Sequence, residues 1–146
     1  MANYIPSPHD WVREQVELYE SSGGTKGTTL RDTGIPVILV THTGNKTGAI
    51  RKSPLMRVTD GKSYVLIGSV GGAPKDPEWV ANLRAKPEIE LRDRTVAQKM
   101  NVREVTEAAE RARLWALAVA AFPPYAEYQK KTQRVIPVFV AEPPGA

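Results

Sequence analysis

Residues 37–55 read VILVTHTGNKTGAIRKSPL, an unbroken apolar run, a turn rich in Gly, Thr and Lys, and a basic segment closed by Ser-Pro. Four consecutive apolar residues bounded by turn formers spell a strand buried on both faces. Residues 43–48 supply a loop of hairpin type, and 50–58 return as the partner strand. Pro54 has no N–H for a ladder, which puts this strand at a sheet edge or at a bulge. Backbone N–H groups and ammonium charges converge at such a turn and make it a seat for an anion. Lys46, Arg51 and Lys52 fall within seven positions, and strand alternation sends Arg51 and Lys52 to opposite faces, so one of the two shares a site with Lys46.

Downstream, Asp60-Gly61 is a two-residue hairpin signal between Arg57-Val58 and the apolar run at 63–67, giving three antiparallel strands in succession. Asp76-Pro77 restarts a helix with a cap and a proline at its first position, and Lys86-Pro87 stops it. Residues 88–91 and 96–105 alternate as strands. Thr106 is the expected cap of a further helix with Leu114, Leu117, Ala118 and Ala121 facing inward, and Phe122-Pro123-Pro124 breaks it. A short helix over 125–132 and a strand over 135–140 complete the chain. Upstream, Ser7 and Pro8 open an amphipathic helix carrying Trp11, Val12, Val16 and Tyr19, ended by Ser21-Ser22-Gly23-Gly24. No helix separates the early strands, which excludes a doubly wound parallel sheet. The order predicts an α+β protein, its mainly antiparallel sheet curled into a small barrel with helices around it.

The 146 residues suit one domain: a helical segment over 1–24, a loop over 25–36 and a barrel over 37–142. There is no cysteine, so disulfides and thiolate chemistry are excluded, and His9 and His42 stand too far apart in sequence to suggest a metal site. No metal is expected. Without a leader-like or membrane-spanning apolar run, the expectation is a cytoplasmic protein. The amphipathic first helix leaves open a peripheral position at the inner face of the plasma membrane, against which its acidic polar side argues.

The net charge of +4 is unevenly spread. Residues 24–75 hold Lys26, Arg31, Lys46, Arg51, Lys52, Arg57, Lys62 and Lys75 against Asp32 and Asp60, a net +6. Nucleic acid would call for aromatic residues among these cations, and only Tyr64 is there. A small polyanion fits better. Both nucleotide glycine fingerprints are missing.

Ser69-Val70-Gly71-Gly72-Ala73 leaves a strand just before a helix, where backbone amides can approach a ligand. Tyr125 and Tyr128, three apart on a helix, share a face. No hydrolytic set is present, so an enzyme with this sequence takes its reactive atom from a cofactor.

The series THTGNKTGAIRKSPL, GSVGGAPKDPEWVANLRAKP and FPPYAEYQKKTQRVIPVFV resembles the deazaflavin-dependent nitroreductase family of actinobacteria, over about residues 37–142. The resemblance implies a split β-barrel of the kind that binds flavin nucleotides, coenzyme F420 (an 8-hydroxy-5-deazaflavin) as cofactor, and hydride transfer to quinones, enones, lactones or nitroaromatics. It implies that Lys46, Thr47, Gly48, Arg51 and Lys52 hold the cofactor's phosphate and acidic tail. Ser53, Pro54 and Leu55 would line the deazaflavin ring, with Ser69, Gly71, Gly72, Ala73, Lys75, Trp79 and Asn82 completing that wall. Tyr125 and Tyr128 are the catalytic candidates, for orientation or proton supply. Relatives can carry a tyrosine at Phe122, an aromatic at Met56 and a lysine at Val70, differences that bear on nitroimidazole reduction. A non-catalytic F420 carrier and a flavin-nucleotide (FMN) oxidoreductase are the alternative readings. The expected partners are a small electrophilic substrate and a second copy of the chain.

Overall fold

The computed structural model describes residues 3–30, 33–69 and 76–144. The helices are α1 (Asp10–Ser21), α2 (Glu78–Ala85), α3 (Ala108–Ala121) and α4 (Pro124–Lys130). The strands are β1 (Val37–Thr43), β2 (Ile50–Met56), β3 (Tyr64–Ile67), β4 (Glu88–Asp93), β5 (Val96–Glu104) and β6 (Val138–Glu142). All six form one antiparallel sheet in the order β2-β1-β4-β5-β6-β3. The fold is a curled split half-barrel of α+β class, as expected.

Alternation along the strands sorts the core. Ile38 and Val40 of β1, Leu66 of β3 and Phe139 of β6 face inward with Leu91, Met100 and the apolar side of α2, namely Trp79, Val80 and Leu83. Val65, Ile67, Val138 and Val140 face outward, where α3 and α4 cover them with Leu114, Ala118 and Tyr125. Val37 and Leu39 take Val16 and Tyr19 of α1. Because helices cover both faces, β1 and β6 read as apolar runs rather than alternating strands.

Pro54 sits opposite Leu39 on β2, which is an edge strand, where a missing N–H costs least. The expected third partner is different. The chain turns at Asp60-Gly61, whose carboxylate accepts the Lys62 and Ser63 amides, and Thr59 bridges Tyr64. Beyond that bridge β3 does not continue along β2; it pairs with β6 and forms the opposite edge. Curling brings the two edges near each other, and the local turn signal carried no information about which ladder β3 would join.

Three helix starts also shift. Ser7 accepts from the His9 amide at 3.1 Å, and α1 begins at Asp10 with His9 as N-cap. Pro77, not Asp76, is the N-cap of α2. Asp76 pairs instead with Arg134 at 2.7 Å. Glu107 replaces Thr106 as the cap of α3, its carboxylate accepting the Ala109 and Glu110 amides. Of the four residues expected inward on α3, Leu114 and Ala118 are buried, Leu117 is half-buried and Ala121 is exposed. No helix among the described residues is long and apolar enough to cross a membrane.

Candidate functional site

The loop after β1 is closed by its own backbone: the Gly44 amide donates to Ala49 O at 2.7 Å and the Gly48 amide to Gly44 O at 2.9 Å. Gly48 has φ +74°, a conformation that costs glycine nothing. Thr47 turns its Oγ1 back to the Ala49 amide at 3.1 Å. Lys46 is left exposed at the tip, with no ion-pair partner among the described residues.

Beyond the loop, the two faces of β2 carry different chemistry. Lys52 reaches α1, its ammonium 2.7 Å from both Glu20 carboxylate oxygens and 4.8 Å from the centroid of the Tyr4 ring. Arg51, Ser53 and Leu55 take the other face. Ser53 Oγ lies 3.0 Å from His42 Nε2, and His42 Nδ1 lies 3.1 Å from Asn82 Nδ2. The Asn82 side-chain oxygen accepts the Asn45 amide at 2.9 Å, tying α2 to the loop. His42 and Asn82 are only 4 % and 5 % exposed. Burial first, then the nearby Arg51 charge, lower the His42 pKa from 6.5 to about 4, so the imidazole is neutral at physiological pH.

A cleft of about 600 Å³ runs along β2, within the range of cofactor sites. It is lined by Arg51 to Met56 of that edge strand, by Ser69, Trp79 and Asn82, by Ile5, Trp11 and Val12 near the N-terminus, and by Phe122, Tyr125 and Tyr128. These last three rings form a cluster, Phe122 and Tyr125 edge-on at 4.9 Å and Tyr125 and Tyr128 edge-on at 6.1 Å. Burial, with a smaller contribution from Tyr128, pushes the Tyr125 hydroxyl well above its usual pKa of 10. It therefore stays protonated, and it has no hydrogen-bond partner among the described residues.

Of the residues singled out in the sequence, Arg51, Lys52, Ser53, Pro54, Leu55, Ser69, Trp79, Asn82, Tyr125 and Tyr128 meet around this one cleft. Lys46, Thr47 and Gly48 belong to the loop beside it and do not line it. Gly71, Gly72, Ala73 and Lys75 lie outside the described residues. Sequence reasoning missed His42 and the 5–12 segment. His42 alternates with Ile38 and Val40, so its inward direction was readable; its partner Asn82 is forty residues away and was not.

A half-barrel whose edge strand floors a polar-and-aromatic cleft is the architecture of the split-barrel oxidoreductases. The comparisons narrow it. The family described as F420H(2)-dependent quinone reductase matches residues 11–143, and the chain belongs to that family. It is similar to an F420H(2)-dependent quinone reductase of Mycobacterium tuberculosis, 33% identical over 126 residues covering 84% of this chain and 83% of the relative. Among solved structures it is similar to an F420-H2 dependent reductase at 45% identity and TM-score 0.69, covering 73% of this chain and 94% of the other. A second, described as a domain-swapped dimer, matches at 46% identity and TM-score 0.72 over 93% of this chain and all of the other.

Proposed function

We propose that the cleft along β2 is where this oxidoreductase binds reduced coenzyme F420 and brings a quinone-like electrophile against it. The observation that carries this reading is the convergence on one edge strand of an apolar floor (Pro54, Leu55), hydroxyl groups (Ser53, Ser69), a guanidinium (Arg51) and an aromatic cluster. That donor set suits a flat heteroaromatic ring with an anionic tail. When bound, the deazaflavin supplies a hydride to a carbon conjugated to an electron-withdrawing group.

The chain's own residues do the rest. Leu55 and Trp79 offer apolar surface to the ring, and Ser53 and Ser69 offer hydrogen bonds to its edge. Arg51 and Lys46 attract the phosphate and acidic tail, with Thr47 and Gly48 holding the loop that carries Lys46. Lys52 contributes charge to the same rim while Glu20 holds it. Gly71, Gly72, Ala73 and Lys75 keep the cofactor-binding roles that the resemblance implies. Tyr125 and Tyr128 orient the acceptor oxygen, and the protonated Tyr125 hydroxyl is the donor available to it.

Mixing the protein with reduced F420 and menadione is expected to give quinone-dependent oxidation of the cofactor. Tight binding without turnover across quinones, enones and nitroaromatics would replace this reading with a carrier. The oligomer is expected to be a homodimer, in keeping with the relative described as a domain-swapped dimer; light scattering after gel filtration at a monomer mass would refute it.

A further inference from the structure

The hydrogen bonds that converge on Ser53 have a direction. The Asn82 side-chain oxygen accepts the Asn45 backbone N–H, so the amide's orientation is set by a donor that cannot reverse. The Asn82 nitrogen therefore faces His42 Nδ1, and an amide nitrogen only donates. Nδ1 must accept, which requires a neutral imidazole with its proton on Nε2. That N–H points at Ser53 Oγ, 3.0 Å away. An imidazolium would set N–H against N–H in a site that is almost completely buried, with the Arg51 charge close by.

Ser53 thus already accepts its protein hydrogen bond, and its one hydroxyl proton has no acceptor among the described residues. The residue lines the cleft. We propose that His42 is a positioning residue that fixes the Ser53 hydroxyl as a donor to the ligand in the cleft, so that this wall selects a lone-pair acceptor and rejects an N–H. The acceptor is a carbonyl oxygen, an unprotonated ring nitrogen or an oxyanion. The proposal rests on the ligand lying against β2, as in the function proposed above, but the polarity of the chain from Asn45 to Ser53 does not.

Two measurements separate these levels. In the ligand-free protein, long-range proton–nitrogen correlation spectra of the His42 ring are expected to show the neutral Nε2–H tautomer from pH 8 down to pH 5.5. An Nδ1–H tautomer or an imidazolium in that range overturns the proposal whatever the protein binds. Titration calorimetry with coenzyme F420 then tests the link to the ligand. His42→Asn keeps an oxygen for Asn82 but places nothing near Ser53, whereas His42→Gln returns an amide N–H to the position of Nε2.

His42→Asn and Ser53→Ala are each expected to weaken binding about tenfold, the double variant no further than either alone, and His42→Gln less than about threefold. Additive losses, or wild-type affinity in a folded His42→Asn protein, overturn the proposal. Should the wild-type chain bind no F420, the cofactor reading fails on its own and the tautomer measurement still decides the relay.

Discussion

Tyr125 combines a buried ring with a hydroxyl that has no hydrogen-bond partner among the described residues. Its ring packs against Phe122 at 4.9 Å and Trp115 at 6.3 Å, so Tyr125→Phe keeps the contacts that hold α4 against the outer face of the sheet. The variant is expected to bind F420 with unchanged affinity and to turn over menadione about 10- to 100-fold more slowly, read by cofactor absorbance in the steady state. Equal rates would leave the tyrosine a packing role only. At the same scale, His42 makes folding stability sensitive to acid. Its folded pKa of about 4 lies below the ordinary 6.5. Between these values the unfolded chain binds more protons, so this contribution is complete above pH 6.5 and is lost as pH falls toward 4. From pH 8 to pH 5 the loss is about 2 kcal/mol. Urea midpoints at the two pH values are expected to converge in His42→Gln. Single residues were the least legible part of the sequence: Lys46, Arg51 and Ser53 could be nominated from one segment, but the chemistry of Ser53 depends on Asn82 and on a loop amide that no local pattern links to it.

Elements were more legible than their connections. Each predicted helix and strand exists, because apolar spacing and punctuation by Gly and Pro act over a few residues. The turn at Asp60-Gly61 forms where expected, and what failed was its extension into a β2–β3 ladder, since ladder partners are chosen by the curvature of the whole sheet. One junction shows how tightly elements meet. After α1 the amide of Gly24 bonds back to Tyr19 O at 2.9 Å, and the chain lies against the β4–β5 turn. A Cβ on Gly24, φ +85°, would stand 1.7 Å from Arg94 O, whereas one on Gly23, φ +65°, would meet nothing within 4 Å. Gly23→Ala should therefore cost about 1 kcal/mol for its backbone alone, and Gly24→Ala at least about 3 kcal/mol. Thermal melts of the two variants check the difference; similar midpoints would mean that α1 lifts from the turn at little cost.

For the molecule as a whole, two cations of the basic segment read from the sequence, Arg51 and Lys52, line the cleft and Lys46 stands on the neighbouring loop, and the described cations of the segment are not equivalent. Lys52 is neutralised by Glu20 and Arg57 by Asp93 at 2.8 Å, while Lys46 stands out in solvent. Lys46→Ala is accordingly expected to weaken F420 binding several-fold at 20 mM salt and hardly at all at 500 mM, where the Debye length falls to about 4–5 Å. Calorimetric titrations at the two concentrations test this, and equal affinity at low salt would remove Lys46 from the site.

The strand order also carries a dynamic consequence. β2 and β3 are neighbours along the chain, only residues 57–63 apart, yet they stand at the two ends of the sheet. The seam between them is bridged only through the connection, whose Val58 O accepts the Val65 amide, and through Asp93 of β4, which takes both Arg57 of the connection and the Tyr64 hydroxyl of β3, the latter at 2.6 Å, among the described residues. The seam can part without unzipping any inner ladder, so it forms a low-energy opening unit distinct from the β4–β5 centre. In hydrogen exchange the Val65 amide should be released well before those of Leu91 and Met100. Breathing of the barrel is then confined to the side on which β2 lines the cleft.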